Sequence, residues 1–126
     1  MRKIAIIFAV IAVLAGCSKG NSLSGETYAA YGYHVDDFNA GYFHMDGYDA
    51  YYVFRFIDDS TAERSTRKYS PTGEVIGEME SCTYTFNHPH IEISYYNNSL
   101  NKIVTEKGEF LDNKTFRVGK YDYIKQ

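Results

Sequence analysis

The chain has 126 residues and a formal net charge of −3, with 13 tyrosines, 8 phenylalanines and no tryptophan. Its length suits one domain with a single core. An acidic chain without a stripe of Lys and Arg is a poor nucleic-acid binder, so we expect no nucleic-acid partner. Aromatic rings must fill most of the core, which favours β-strands because aromatic side chains pack well on a pleated surface.

The first residues match a bacterial lipoprotein signal. A basic start and an apolar run lead to Leu14-Ala15-Gly16-Cys17. The apolar run is well short of the roughly 20 residues that a helix needs to span a bilayer, and this arrangement is typical of a processed export signal. We therefore expect residues 1–16 to be a signal peptide and Cys17 to be lipidated. An ordinary secretory signal with a chance cysteine is the alternative.

A lipidated Cys17 would anchor the protein to a membrane outside the cytoplasm. Stable anchoring needs more than one acyl chain, and a diacylglyceryl group with an N-linked palmitate-type chain meets that need. Residues 17–23 are predicted to be the lipidated cysteine and a polar tether. Ser18 is not the aspartate that signals inner-membrane retention, and Lys19 stands where an acidic surface-export run would be. We expect attachment to the outer membrane, facing the periplasm.

Residues 24–126 are predicted to form one all-β domain. Short runs that alternate with period two are separated by turn residues, the pattern of an antiparallel meander. The predicted strands are 25–34, 42–44, 48–57, 61–69, 74–86, one through Ile91, Ile93 and Tyr95, 102–111 and 115–123. The predicted turns are Asp58-Asp59-Ser60, Pro71-Thr72-Gly73, Asn87-His88-Pro89, Asn97-Asn98-Ser99 and Asp112-Asn113-Lys114.

Several positions predict local irregularity. Residues 35–41 suit a turn or one helical turn, and Asp46-Gly47 predicts a tight hairpin turn between the strands on either side. Gly77 is a candidate bulge in a long bent strand, and Gly108 is a possible kink. The polar strand 61–69 is expected to be a solvated face or an edge that docks a partner.

Seven or eight strands joined by short turns bury an aromatic face best by closing into a small antiparallel meander β-barrel, which also removes open edges. An open β-sandwich is the alternative. The single cysteine left after lipidation, Cys82, lies in step with two aromatic residues and is expected to be a buried structural thiol. With only one cysteine left, the chain cannot form an intramolecular disulfide, and a single cysteine does not make a zinc site.

Three stretches of the chain resemble small lipocalin-like lipoproteins of Bacteroidetes. They are a glycine-led first strand at residues 25–28, an aromatic segment that leads into an acidic hairpin at residues 52–61, and Tyr84-Thr85-Phe86 followed by Ile91-Glu92-Ile93. The resemblance implies a lipocalin-like barrel on a lipid anchor. Lipocalins carry Gly-x-Trp on the first strand, where this chain has Tyr28. The chain is also shorter than a full-size lipocalin, so we expect a small or filled lumen.

Five tyrosines are candidate ligand-binding residues: Tyr31, Tyr33, Tyr52, Tyr84 and Tyr95. Alternation places Tyr31 and Tyr33 on one face of the first strand. Barrels of about eight strands either pack solid or hold one small ligand. In the first case these rings fill the core and extend their hydroxyl groups to the rim, since a buried tyrosine needs a hydrogen-bond partner. In the second case they line a cavity.

Catalytic and metal-binding motifs are weak. His88-Pro89-His90 forms a metal site only if the fold adds His34 or His44, so we expect no metal and no cofactor. Asp36-Asp37 and Asp58-Asp59 fall in predicted turns, and adjacent strand residues point to opposite faces. The sequence has neither a Gly-x-Ser-x-Gly nucleophile elbow nor a phosphate-binding loop.

One modification site is predicted. Asp59-Ser60-Thr61 matches the short motif at which Bacteroidetes O-glycosylate exported proteins, and its hairpin position favours access to Ser60. Altogether the sequence favours a non-enzymatic, lipid-anchored envelope protein that binds a small ligand or an envelope partner. A structural or accessory lipoprotein with a filled barrel is the alternative, and a small hydrolase is the third hypothesis.

Overall fold

A computed structural model describes residues 22–126 of the chain. The predicted signal peptide, Cys17 and the tether up to residue 21 lie outside the described residues. The described part has no helix and ten strands: β1 (Thr27–Val35), β2 (Phe38–Ala40), β3 (Phe43–Met45), β4 (Tyr48–Phe56), β5 (Thr61–Lys68), β6 (Val75–Asn87), β7 (His90–Asn97), β8 (Lys102–Asp112), β9 (Thr115–Val118) and β10 (Tyr121–Lys125). Over these residues, no helical segment is long and apolar enough to cross a membrane.

Eight of the strands form a closed antiparallel barrel in the order β1-β10-β9-β8-β7-β6-β5-β4, with β4 pairing back to β1. The predicted all-β meander barrel is confirmed, and the sandwich alternative is wrong. The remaining strands, β2 and β3, pair only with each other. They form a small hairpin between β1 and β4 that we call the arm, residues 36–47.

Two predictions for the residues of the arm are wrong. Residues 35–41 contain β2 rather than a turn or a helical turn, and Asp46-Gly47 does not close a hairpin, because β3 pairs with β2 while β4 pairs with β1. The reason is that the long strands β1 and β4 match along most of their length, from Thr27↔Arg55 to Val35↔Tyr48. The short segment between them can then pair only with itself.

Glycines mark three further features. The predicted single strand 115–123 is two strands, β9 and β10, joined at Gly119, whose φ of 61° suits a tight turn. The predicted bulge at Gly77 is confirmed, since φ there is 76° and the β5–β6 register shifts beside it. The strand pairing runs through Gly108 without a shift. A Cβ at Gly108 would lie 2.8 Å from the carbonyl oxygen of Arg117, so the residue permits close strand contact instead of a kink.

The barrel has two distinct ends. The terminal end holds the start of the described chain, the C-terminal residue and the turns at 57–60, 88–89 and 113–114. There the backbone N–H of Gln126 donates to the carbonyl of Thr27 at 2.9 Å. The arm end holds the arm and the turns at 69–74, 98–101 and 119–120.

The core consists mainly of aromatic rings. Its largest fully buried side chains are Tyr28, Phe54, Phe56, Phe116, Ile91 and Ile93. The Phe116 ring lies 5.1 Å from the rings of Tyr28 and Tyr123 and 5.3 Å from that of Phe110, measured between centroids. These are favourable aromatic separations. The rings pack through the middle of the barrel, and a cavity of about 320 Å³ at the terminal end is lined by Tyr28, Phe86 and Phe110 among others.

Candidate functional site

The barrel wall splits between β6 and β7. Their strand pairing runs from Asn87↔His90 to Thr83↔Ser94 and ends there. Beyond that point β6 pairs only with β5, and β7 pairs only with β8. Residues 75–82 and 95–97 therefore border a gap that opens toward the arm end, which we call the fork.

The bulge at Gly77 accompanies the fork. The β5–β6 register goes from Arg64↔Glu80 to Thr66↔Ile76, so β6 has extra residues opposite Ser65. A bulge bends its strand and increases the local twist, and this one lies in the part of β6 that no longer pairs with β7. The local sequence thus favours separation of the two strands at this place.

Four polar side chains connect the two sides of the fork, and we call them the polar cluster. Arg64 Nε on β5 donates to Glu80 Oε1 on β6 at 2.6 Å. The Arg64 guanidinium lies 3.6 Å above the ring of Tyr95 on β7, and the Tyr95 hydroxyl donates to Glu106 Oε2 on β8 at 2.9 Å. Side-chain contacts therefore bridge the wall where backbone pairing is missing.

The environment keeps Arg64 and Tyr95 in defined protonation states. Burial lowers the pKa of Arg64, but its hydrogen bonds to Glu80 and Tyr95 raise that pKa by more, so the guanidinium stays charged. Burial, followed by the hydrogen bond to Glu106, raises the pKa of the Tyr95 phenol, which stays protonated and able to donate. One guanidinium faces two carboxylates, so the cluster has a formal excess of negative charge.

Two cavities flank the cluster. A cleft of about 130 Å³ lies against Arg64 and Glu80 and is also lined by Tyr52, Phe54 and Tyr123. Ser65, Thr66 and Glu78 complete its polar lining. A shallower groove of about 460 Å³ runs over the fork and is mostly apolar; it is lined by Ile57, Thr61, Cys82, Tyr95, Tyr96 and Ile103.

The structure brings only part of the predicted tyrosine set together. Tyr52 lines the cleft and Tyr95 lines the groove. The ring centroid of Tyr33 lies 6.1 Å from that of Tyr52. These three tyrosines belong to the arm-end half of the barrel, and Tyr52 and Tyr95 are near the polar cluster.

Tyr31 and Tyr84 lie elsewhere. Tyr31 is half exposed, and its hydroxyl donates to Asp49 Oδ1 at 3.3 Å. A register shift at Gly32 separates Tyr31 from Tyr33, so the expectation that the two share a face is wrong. Tyr84 is at the terminal end, where its hydroxyl donates to the carbonyl of Asp58 at 2.6 Å. Burial raises the pKa of Tyr84 to about 12.

Sequence reasoning missed Arg64, Glu80 and Glu106. The predicted strand at 61–69 is rich in polar residues, and we expected a solvated face or a docking edge. Arg64 shares a strand face with buried Ala62, and Glu80 shares one with buried Cys82. The period of two along each strand was therefore a usable signal for placing both charged side chains inside the barrel.

Cys82 is the buried thiol that the sequence predicted. It is 3% exposed, and burial raises its pKa to about 11. Its Sγ lies 3.8 Å from the carbonyl oxygen of Glu80, beside the polar cluster. The thiol is therefore protonated at neutral pH, which suits packing and disfavours nucleophilic chemistry.

The histidines do not converge. Within residues 22–126, no group of three or more His, Cys, Asp or Glu side chains is arranged to hold a metal ion. His34 lies at the arm end, with Nδ1 2.8 Å from Asp49 and Nε2 3.2 Å from Asp36. His88 belongs to the terminal end, near the rings of Phe86 and Phe110.

The carboxylate pair in the β4–β5 turn has a structural role. Asp58 Oδ1 accepts hydrogen bonds from the backbone N–H groups of Ser60 at 2.9 Å and Thr61 at 2.8 Å. These bonds lower the pKa of Asp58, and they are typical of an Asx-type turn. Ser60 is exposed in this turn. Its predicted O-glycosylation stays a prediction.

Comparison with protein families, curated proteins and solved structures finds no match to this chain.

Proposed function

We propose that this protein is a non-enzymatic, lipid-anchored cell-envelope protein that binds a small ligand at the polar cluster. The supporting observation is a charged cluster inside a barrel whose other core residues are almost all aromatic or aliphatic. Partly buried ion pairs are costly to desolvate, and apolar residues of similar volume often stabilise a core as well or better. Stability alone therefore gives little reason for Arg64, Glu80 and Glu106 to lie there, whereas ligand recognition does.

The cleft suggests the ligand chemistry. Its volume of about 130 Å³ equals that of about four water molecules, so it suits a small polar group rather than a bulky molecule. In the lining of the cleft, the carboxylates of Glu78 and Glu80 outnumber the single Arg64 guanidinium. A ligand that brings hydrogen-bond donors or a positive charge is favoured, and the rings of Tyr52 and Tyr123 suit a cation on their faces.

The ends of the barrel suggest an orientation. The described chain begins at Ser22, whose hydroxyl donates to Asp59 in the β4–β5 turn at 2.8 Å. Only residues 18–21 separate Ser22 from Cys17, and an extended chain spans at most about 3.6 Å per residue. With Cys17 lipidated, the terminal end faces the membrane and the arm end faces away. This arrangement agrees with the lipid anchor that the resemblance to lipocalin-like lipoproteins implies.

A structural or accessory role is the second candidate. It is favoured by the dense aromatic packing in the terminal half of the barrel, where Phe56 and Phe116 are fully buried. In that case the polar cluster serves only to close the fork, and the protein acts through its outer surface.

Native mass spectrometry of the lipidated chain, purified from its host envelope in mild detergent, separates the two candidates. We expect an added mass that denaturation releases. Glu80→Gln should abolish it, whereas the control Glu63→Gln, in an ion pair with Arg55 on the outer face of the barrel, should keep it. A bare wild-type mass would favour the structural role. The same spectrum tests the anchor, since the acyl mass should disappear in Cys17→Ser.

A further inference from the structure

The arm exposes an unusual group of large apolar side chains. Phe38, Phe43 and Met45 are about half exposed, and Tyr42 at the tip is fully exposed. An isolated two-stranded hairpin is at best marginally stable in water, so these side chains do not stabilise the arm by burial. A contiguous exposed apolar surface on a small protein usually marks an interaction site.

The base of the arm is held in place. The backbone N–H of Gly47 donates to Asp37 Oδ1 at 2.5 Å. A Cβ at Gly47 would lie 2.3 Å from the carbonyl oxygen of Val35, so the chain there is in close contact with the end of β1. His34 lies between Asp36 and Asp49 and so connects the arm to β4. The apolar tip is thus presented in a fixed direction, and this reduces the entropy lost on docking.

The arm itself has a net negative charge, and the Lys68 ammonium lies beyond its base, 5.1 Å from the ring of Tyr48. No Lys or Arg occurs from Thr27 to Phe54, whereas Asp36, Asp37 and Asp46 lie in the arm itself. Electrostatic complementarity then favours a basic partner surface. The arm of a second copy of this chain would bring its own carboxylates against those of the first. An anionic membrane surface would also repel these carboxylates.

We propose that the arm is a docking element for a second protein that offers an apolar pocket rimmed by Lys and Arg side chains. Phe38 and Phe43 form the apolar anchor, with ring centroids 6.0 Å apart in an edge-to-face arrangement. Aromatic residues of this kind dominate the binding energy of protein interfaces. The Asp side chains around the anchor select a basic rim. This inference stands independently of the small-ligand site.

The test begins with a photo-crosslinking amino acid at Tyr42 of the full chain in its host cells. The control position is Ile124 on β10, which is 53% exposed. We expect one discrete protein adduct from position 42 and none from position 124. The crosslinked protein is then purified, and its affinity for the full lipidated chain is measured by titration calorimetry.

Three results would support the proposal. Phe43→Ser should weaken binding at least about 10-fold, as expected for an interface anchor. The control Leu111→Ser, at a half-exposed apolar residue on the barrel, should leave it within about 2-fold. Asp36→Asn, at a 93% exposed side chain, should weaken binding, and salt should reduce the difference.

Other results would overturn it. They are the lack of an adduct at position 42, an adduct with a second copy of this chain, or an affinity that Phe43→Ser leaves unchanged. Flotation with vesicles of phosphatidylethanolamine and phosphatidylglycerol gives a further outcome. Vesicle binding that requires Phe43, without any protein adduct, would replace the protein partner with a membrane surface.

Discussion

Tyrosines at the terminal end of the barrel pack among phenylalanines, whereas tyrosines at the arm end face charged side chains. The Tyr28 ring lies 5.8 Å from that of Phe110 and 5.1 Å from that of Phe116, and its hydroxyl donates to Glu26 at 3.0 Å. Tyr95 instead lies beneath the Arg64 guanidinium. The backbone differs in the same way, because β6 and β7 pair toward the terminal end and separate toward the arm end.

This contrast indicates a division of work within one small barrel. The terminal half gains stability from aromatic burial and an intact wall. The arm half contains the fork, the charged cluster and the exposed arm, which contribute less to stability than the aromatic core does. Substitutions in the two halves should therefore have effects of very different size.

The largest expected effect is at the terminal half. Phe116 is fully buried among five aromatic rings, so Phe116→Ala should lower the free energy of unfolding by about 3–5 kcal/mol. Urea denaturation followed by circular dichroism measures the change. The control Phe43→Ala on the arm should stay within about 0.5 kcal/mol. Similar losses in both variants would contradict the division of work.

The alkylation rate of the Cys82 thiol measures whether the fork is closed. In a Cys17→Ser variant Cys82 is the only thiol. Its pKa of about 11, against an ordinary 9.0, reduces the thiolate at pH 8 about 100-fold. Alkylation by iodoacetamide should therefore be at least about 100-fold slower than in the urea-unfolded chain. The Arg64 guanidinium lowers the pKa of Cys82, so Arg64→Met should slow the reaction further while the fork stays closed. A native rate close to the unfolded one would show that the fork is open.

A smaller effect is expected for the polar cluster itself. Hydrogen bonds to charged groups contribute about 1.5–3 kcal/mol, and the Arg64 and Glu80 side chains are 30% and 37% exposed, which weakens their bond. Arg64→Met should therefore cost about 1–2 kcal/mol. In a double-mutant cycle with Glu80→Gln we expect a coupling of at least about 0.5 kcal/mol. The pair Arg55–Glu63, on the outer face of the barrel with side chains 54% and 26% exposed, is the matched control and should show a smaller coupling. Equal coupling energies in the two pairs would mean that the Arg64–Glu80 pair at the fork is no stronger than an ion pair on the outer face of the barrel.

The smallest expected effect is the pH dependence contributed by His34. Its hydrogen bond to Asp49 is the main reason that its pKa is raised, with Asp36 adding to the rise. A raised folded-state pKa means stabilisation that is fully present below the unfolded value near 6.5 and is lost as pH rises through the folded value. His34→Asn should remove this dependence, measured as urea midpoints between pH 5 and 8. A proton NMR titration of His34 that gives a pKa at or below 6.5 would contradict it.

Local sequence pattern predicted much of the fold. Period-two alternation identified the barrel strands, and turn residues such as Asp58-Asp59-Ser60 and Pro71-Thr72-Gly73 marked their ends. The Gly77 bulge and the burial of Cys82 were also predicted. These features depend on residues close together in the chain, so a short window of sequence contains the necessary information.

The candidate site was harder to predict because it depends on register between distant strands. Arg64 reaches Glu80 only because β5 pairs with β6, and Tyr95 reaches Glu106 only because β7 pairs with β8. The point where β6 leaves β7 decides that these two pairs face each other across a gap. Alternation within one strand gives no information about that point.

The sequence by itself determined that the chain forms an all-β barrel filled by aromatic rings, because alternation and turns are local properties and the core had few aliphatic residues to use. Tertiary structure alone decided that β1 pairs with β4, leaving residues 36–47 as an arm, and that the wall splits beside Gly77. Both outcomes follow from competition between long-range strand pairings. The best-matched long strands pair with each other, and the segments between them form only the pairings that are still available.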